Sequence, residues 1–140
     1  MSDLSWAVIV RLVRQRASRC CEYCQTCEDT IGQTPHIDHI DPGDGDHPDN
    51  LCLACPTCNL SKGQATSAID PQTGELVGLF NPRQQVWADH FVWVEDGLQV
   101  QGLTPTGRAT VSRLHMNQTR LLGARSLWIR ANCHPPKFAD

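Results

Sequence analysis

The sequence predicts an α+β protein built around a small metal-rich hairpin and helix, and three observations predict it. Eight cysteines stand at positions 20, 21, 24, 27, 52, 55, 58 and 133, seven of them within residues 20–58. Short alternating apolar segments bounded by turn formers read as strands, whereas segments with apolar residues every three to four positions read as helices. The length of 140 residues is that of one domain. Hydrophobic residues make up 40% and charged residues 19%. With no long apolar run and no charged-apolar-small leader, this composition argues against disorder, a membrane span and a signal peptide, and the expectation is a soluble cytoplasmic protein.

Residues 4–16 read as a helix, with Leu4, Val8 and Leu12 backed by Ile9 and Val13, and with Ser2 or Asp3 as its cap. Residues 36–40 alternate like a strand, the loop 41–49 is dense in turn formers, and Leu51-Cys52-Leu53 returns. Cys55 to Lys62 begins a short helix that Gly63 ends as a left-handed cap. A polar linker at 63–67, a turn at 70–74 and a strand at 76–80 follow. Asp96-Gly97 between apolar alternations predicts a hairpin over 91–100. Thr104 and Pro105 supply a cap and first-turn proline, and Leu121, Leu122, Leu127, Trp128 and Ile129 line a last helix. Trp6, Trp87, Trp93 and Trp128 read as core anchors. The organisation expected is one domain: an N-terminal helix over 1–19, a zinc-bound core over 20–63 and a C-terminal extension over 64–140.

Thiols stay reduced in the cytosol, so clustered cysteines there point to metal rather than to disulfides. Cys21–Cys24 and Cys55–Cys58 are two C-x-x-C pairs, and two such knuckles can place four sulfurs about 2.3 Å from one tetrahedral ion. The 30 residues between the pairs must loop out. Cys24–Cys27 and Cys52–Cys55 share the spacing, but Cys52 fits the alternation of a buried strand. The preferred set is therefore Cys21, Cys24, Cys55 and Cys58 around a structural Zn²⁺, with Cys20, Cys27 and Cys133 as bystanders. A thiol redox protein using Cys24 or Cys27 is the weakest reading, because no βαβ pattern surrounds the pairs.

The formal net charge is -3, but the charges are segregated. Arg11, Arg14, Arg16 and Arg19 precede the cysteines, and Arg108, Arg113, Arg120, Arg125, Arg130 and Lys137 lie in an acid-free C-terminal stretch. Residues 21–61 carry eight acids and no Lys or Arg. An acidic centre suits cations and basic flanks suit phosphates, which makes Arg113, Arg120 and Arg125 candidate DNA contacts; solvated faces without a partner fit the charges equally well.

Asp38-His39 ends the first strand, Asn50 opens the second, and Asn59 follows the last zinc cysteine, so a hairpin folded onto a short helix brings the four together. Neighbours on a regular strand point to opposite faces, and Asp38 and His39 can share a site only where the strand ends or bulges. His36 lies on the Asp38 face and is an extra candidate ligand, with a packed or solvated histidine the plainer reading. The acidic loop lacks the EF-hand order and reads as solvated, within reach of a cation's hydration shell.

Arg19-Cys-Cys-Glu-Tyr-Cys24, Ile37-Asp-His-Ile40, Asp49-Asn-Leu51 and Leu53-Ala-Cys-Pro-Thr-Cys-Asn-Leu-Ser-Lys-Gly63 resemble the HNH endonucleases, whose fold is the ββα-metal, or His-Me finger, motif. The resemblance covers residues 19–63, and residues 64–131 are similar to the C-terminal extension of a bacterial branch of such proteins. It implies a metal-dependent DNA endonuclease in which His39 is the general base, Asp38 the first metal ligand, Asn50 the residue that ties the hairpin and orients the base, and Asn59 a metal ligand. Asn59 replaces the last histidine of the family's name, and its amide oxygen favours Mg²⁺ or Mn²⁺ at the catalytic site. Lys62, on the same helix face as Asn59, is expected to touch the scissile or adjacent phosphate. The partner implied is duplex DNA, met by a monomer or a homodimer. The alternative from another class is a zinc-stabilised nucleic-acid-binding or adaptor module without turnover.

Overall fold

The computed structural model describes residues 4–138. Helix α1 (Trp6–Arg16) leads through a short helix α2 (Glu28–Ile31) to strands β1 (His36–His39) and β2 (Leu51–Ala54) and then to helix α3 (Pro56–Lys62). Strands β3 (Ser67–Ile69) and β4 (Leu76–Gly78), a turn of helix α4 (Trp87–His90), and strands β5 (Phe91–Val94) and β6 (Gln99–Gly102) follow. Helices α5 (Pro105–Arg113) and α6 (Thr119–Arg130) close the described chain. The strands pair as three separate antiparallel hairpins, β1–β2, β3–β4 and β5–β6. No helix among the described residues is long and apolar enough to cross a membrane.

Helix α1 is capped by Ser5, whose hydroxyl accepts from the Val8 N–H; Ser2 and Asp3 lie outside the described residues. Its buried side is Ile9 and Val13, continued by Ala17, packed on Leu51, Leu53 and Ile37, while Leu4, Trp6, Val8 and Leu12 stay exposed. The expected stripe is thus displaced around the helix. The back of one two-stranded hairpin is narrow enough that a single i, i+4, i+8 row covers it. Arg16 completes the contact by donating to the carbonyls of Pro48 and Leu51, which pins the start of β2.

Strand β2 is buried along its whole length and alternates between two cores: Leu51 and Leu53 face α1, and Cys52 and Ala54 face the cysteine side. Cys55 caps α3, its sulfur accepting from the Cys58 N–H, and Pro56 fills the first turn, where no N–H is needed. Gly63 ends α3 with a positive φ of 55° but an extended ψ of -128°, so it is not the left-handed cap expected from sequence. The supposed linker runs directly into β3, which begins at its last residue, Ser67, and pairs with β4 around a turn built on Asp70. The Asp70 carboxylate accepts from Gln72 and Thr73 and takes both arms of Arg108 at 3.0 and 2.9 Å, which holds its pKa well below the usual carboxylate range. At Gly107, in the first turn of α5, a Cβ would fall 2.1 Å from the His90 carbonyl oxygen, so glycine is required for α5 to seat against α4.

One apolar cluster contains Cys21, Tyr23, Cys24, Cys55 and Cys58 together with Leu79, Phe80, Phe91, Val100, Leu114 and Met116. The extension and the cysteine segment therefore share a core. Helix α6 departs from expectation: Leu127 is 64% exposed, and the fully buried side chain is Arg125. Its guanidinium donates to the carbonyls of Leu98 and Met116 and to Asn117 Oδ1, and lies 5.1 Å from the Trp93 ring centroid. Burial lowers its pKa, and the residue has no path to a phosphate. Arg125 is thus corrected from a DNA contact to a structural cation, because the carbonyls at the β5–β6 turn and the α5–α6 junction need a long, multi-armed donor. Arg125→Ala is expected to cost about 3 kcal/mol through unpaired carbonyls and a cavity, read as a lower denaturant midpoint at unchanged slope. An unshifted midpoint would contradict this role.

Candidate active site and zinc centre

Cys21, Cys24, Cys55 and Cys58 are all buried, and their sulfurs lie within 4.8 Å of one another, with Cys24 and Cys55 Sγ 3.6 Å apart. Sulfurs about 2.3 Å from a common tetrahedral ion stand about 3.8 Å apart, so the set fits a four-sulfur zinc site. The N–H groups of Tyr23 and Cys24 point at Cys21 Sγ, and that of Cys58 at Cys55 Sγ, each at 3.4 Å. Such donors favour thiolates. Burial pushes the Cys21 thiol up, and a dication among the sulfurs reverses that preference. Cys52 remains outside the cluster, buried beside Asp38 and Tyr23.

Two bystanders are corrected. Cys20 and Cys27 face each other across an isolated antiparallel bridge and are joined by a disulfide. The turn that wraps the first knuckle, with Gln25 at φ 66° and the Cys21 N–H donating to Thr26 O, brings them together; from sequence they were merely flanking positions.

Strand β1 ends at His39, paired with Leu51, which is how the neighbours Asp38 and His39 come to border one opening. Asp38, His39 and Asn59, with Pro42 and Gly63, line a cleft of about 220 Å³ between the hairpin and α3. Each of the three has one polar atom tied to a neighbour. His39 Nε2 lies 2.6 Å from Asp46 Oδ1; an ionised carboxylate only accepts, so Nε2 is the donor, and in the neutral imidazole the lone pair then falls on Nδ1. Asn59 Nδ2 lies 2.9 Å from His36 Nδ1, which leaves its amide oxygen for the cleft. Asp38 Oδ2 accepts from Tyr23 at 2.9 Å and faces Lys62 Nζ at 3.3 Å, whereas Oδ1 has no hydrogen bond among the described residues.

Asn50 is buried, and its side chain closes the β1–β2 loop: Oδ1 accepts from the Asp41 N–H, and Nδ2 donates to the carbonyls of Asp41 and Gly45. The loop so held delivers Asp46 to His39. Lys62 departs from the sequence reading. It is 1% exposed, its ammonium turned inward to Asp38 and to the His39 carbonyl at 3.1 Å, because the carboxylate of Asp38 is buried and needs a countercharge. It is corrected from a phosphate contact to a support beneath the site. Arg113 is exposed and donates to the Lys62 carbonyl at the cleft end of α3, and Arg120 is exposed in the first turn of α6.

Sequence reasoning missed Asp46 and Tyr23. Asp46 was one of several acids in a loop, and nothing in its position marked it. Tyr23 did carry a signal, being the one tyrosine and placed inside a C-x-x-C knuckle.

No curated protein and no solved structure matches the chain significantly. Over residues 21–65, about a third of its length and the stretch that holds the cysteine cluster and the cleft, the chain matches the model of the HNH endonuclease family, whose members are commonly nucleases, and its function is accordingly of a nuclease or nucleic-acid-related kind.

Proposed function

We propose that the chain is a metal-dependent endonuclease that hydrolyses DNA phosphodiester bonds at the cleft formed by β1, β2 and α3. The observation that carries this reading is that Asp38, His39 and Asn59 line the same opening, each with one polar atom held by a neighbour. Asp38 and Asn59 offer two oxygen donors, a hard set that suits Mg²⁺ or Mn²⁺. A divalent cation held there would stabilise the charge that builds on the phosphoryl and leaving oxygens. His39 Nδ1 takes the proton from the attacking water while Asp46 holds the ring by Nε2. Asn50 acts at one remove, by fixing the loop that carries Asp46. The zinc site holds both ends of this arrangement and has no open position for chemistry. One base and one cation cut one strand, so duplex scission requires two events or a pair of chains.

Exposed Arg113 and Arg120 are assigned to backbone phosphates, without base readout. Arg113→Gln and Arg120→Gln are each expected to reduce the slope of log affinity for duplex DNA against log salt by about 0.9. An unchanged slope would remove that residue from the interface.

A second reading, a binding or adaptor module without turnover, draws support from Lys62, whose inward turn takes a cation out of reach of the substrate. Supercoiled plasmid incubated with zinc-loaded protein in Mg²⁺ or Mn²⁺ separates the two. Nicked product that disappears with EDTA supports the nuclease; bound but intact plasmid supports the module.

A further inference from the structure

We propose that Tyr23 is a positioning residue of the cation site, fixing Asp38 so that one carboxylate oxygen stays with the protein and the other faces the cleft. The inference rests on the nuclease reading above and adds to it a physical tie between the zinc knuckle and the cleft. Tyr23 stands between the ligands Cys21 and Cys24 and is fully buried. Both sides of its backbone are held: the N–H points to Cys21 Sγ at 3.4 Å, and the carbonyl accepts from Trp87 Nε1 at 2.7 Å. The phenol is thereby aimed from the zinc side at Asp38 Oδ2, 2.9 Å away.

The two oxygens of a carboxylate are chemically equivalent, and an unrestrained aspartate rotates between them and between rotamers. Three groups select one orientation here. All three meet the same oxygen: Tyr23 donates to Oδ2, Lys62 Nζ stands 3.3 Å from it, and Cys52 Sγ approaches it at 3.5 Å. The supports do different things. Lys62 supplies charge, and its flexible stem permits several positions; the phenol is rigid, and its anchor is the zinc-bound turn. Outer groups that orient a metal-ligating carboxylate commonly change metal affinity when removed. If Tyr23 served only to fill the core, phenylalanine would replace it without consequence, because the ring volume is the same.

The test compares Tyr23→Phe with wild type in the full chain. Zinc content, Mn²⁺ affinity by titration calorimetry, plasmid nicking across a Mn²⁺ series, and DNA affinity are the readouts. The expected result is one zinc per chain and unchanged DNA affinity, a Mn²⁺ dissociation constant raised about 10- to 100-fold, and nicking that recovers as Mn²⁺ is raised. Wild-type Mn²⁺ affinity in Tyr23→Phe would overturn the proposal while leaving the nuclease reading intact. Loss of zinc from Tyr23→Phe would also overturn it, since the hydroxyl would then serve the fold. A wild-type protein that neither binds Mn²⁺ nor nicks plasmid would defeat the nuclease reading, and this role with it.

Discussion

Replacing Cys58 with serine is expected to yield a chain that holds no zinc and does not fold. A serine hydroxyl does not ionise at neutral pH and is a poor ligand for a borderline-soft ion, so the site falls to three sulfurs. Structural zinc contributes about 10–16 kcal/mol in small zinc domains, against a total stability of about 5–15 kcal/mol for an ordinary domain. The loss does not remain local, because the cysteines pack in the same cluster as Phe80, Phe91, Leu114 and Met116, which belong to the C-terminal half. Atomic absorption should read no zinc and far-ultraviolet circular dichroism should show lost structure. A folded, zinc-replete Cys58→Ser would sink the four-sulfur assignment.

Replacing His39 with alanine is expected to slow plasmid nicking by about 10²- to 10⁴-fold, the usual contribution of a positioned general base, and to leave the fold intact. Its side chain is 38% exposed at the end of β1 and packs in neither core, so the fold depends little on it. Asp46→Ala should cost less, about tenfold, because the ring keeps its place in the strand and loses only the partner that holds Nε2. The two effects should not add: once His39 is gone, Asp46 has nothing to orient, and the double variant should match His39→Ala. Initial nicking rates at saturating Mg²⁺ check both. A wild-type rate in folded His39→Ala would exclude it as the base.

The clustering of Cys21, Cys24, Cys55 and Cys58 was legible because knuckle spacing is a local property, and Cys52 could be set aside on strand alternation alone. The hairpin around residues 91–102 and the cap at Thr104 were legible for the same reason: turn and cap chemistry act over a few residues. What failed depended on distant partners. Arg125 looked like any other basic residue on a helix until the carbonyls of Leu98 and Met116 enclosed it. Lys62 looked solvent-facing because the burial of Asp38 was not visible in the sequence. Strand β3 was hidden because Ser67 and Ala68 carry little strand character, and β4 imposes the conformation. The displaced stripe on α1 reflects the width of the hairpin behind it, which only the assembled fold defines.

Helix α3 carries Cys58, Asn59 and Lys62 within five residues, serving in turn the zinc, the cleft and the carboxylate beneath it. Each residue of an α-helix turns its side chain by about 100° and advances it about 1.5 Å. A single insertion between Cys58 and Asn59 would therefore leave both knuckles able to close while rotating Asn59 away from His36 and Lys62 away from Asp38. No slack exists at that junction. The loop between β1 and β2 is governed differently, since its requirements are that Asn50 meet its carbonyls and that an acid reach His39. Variation in length is tolerable there and forbidden eight residues later, so lineages of this chain should differ in the length of the loop and keep one length through α3.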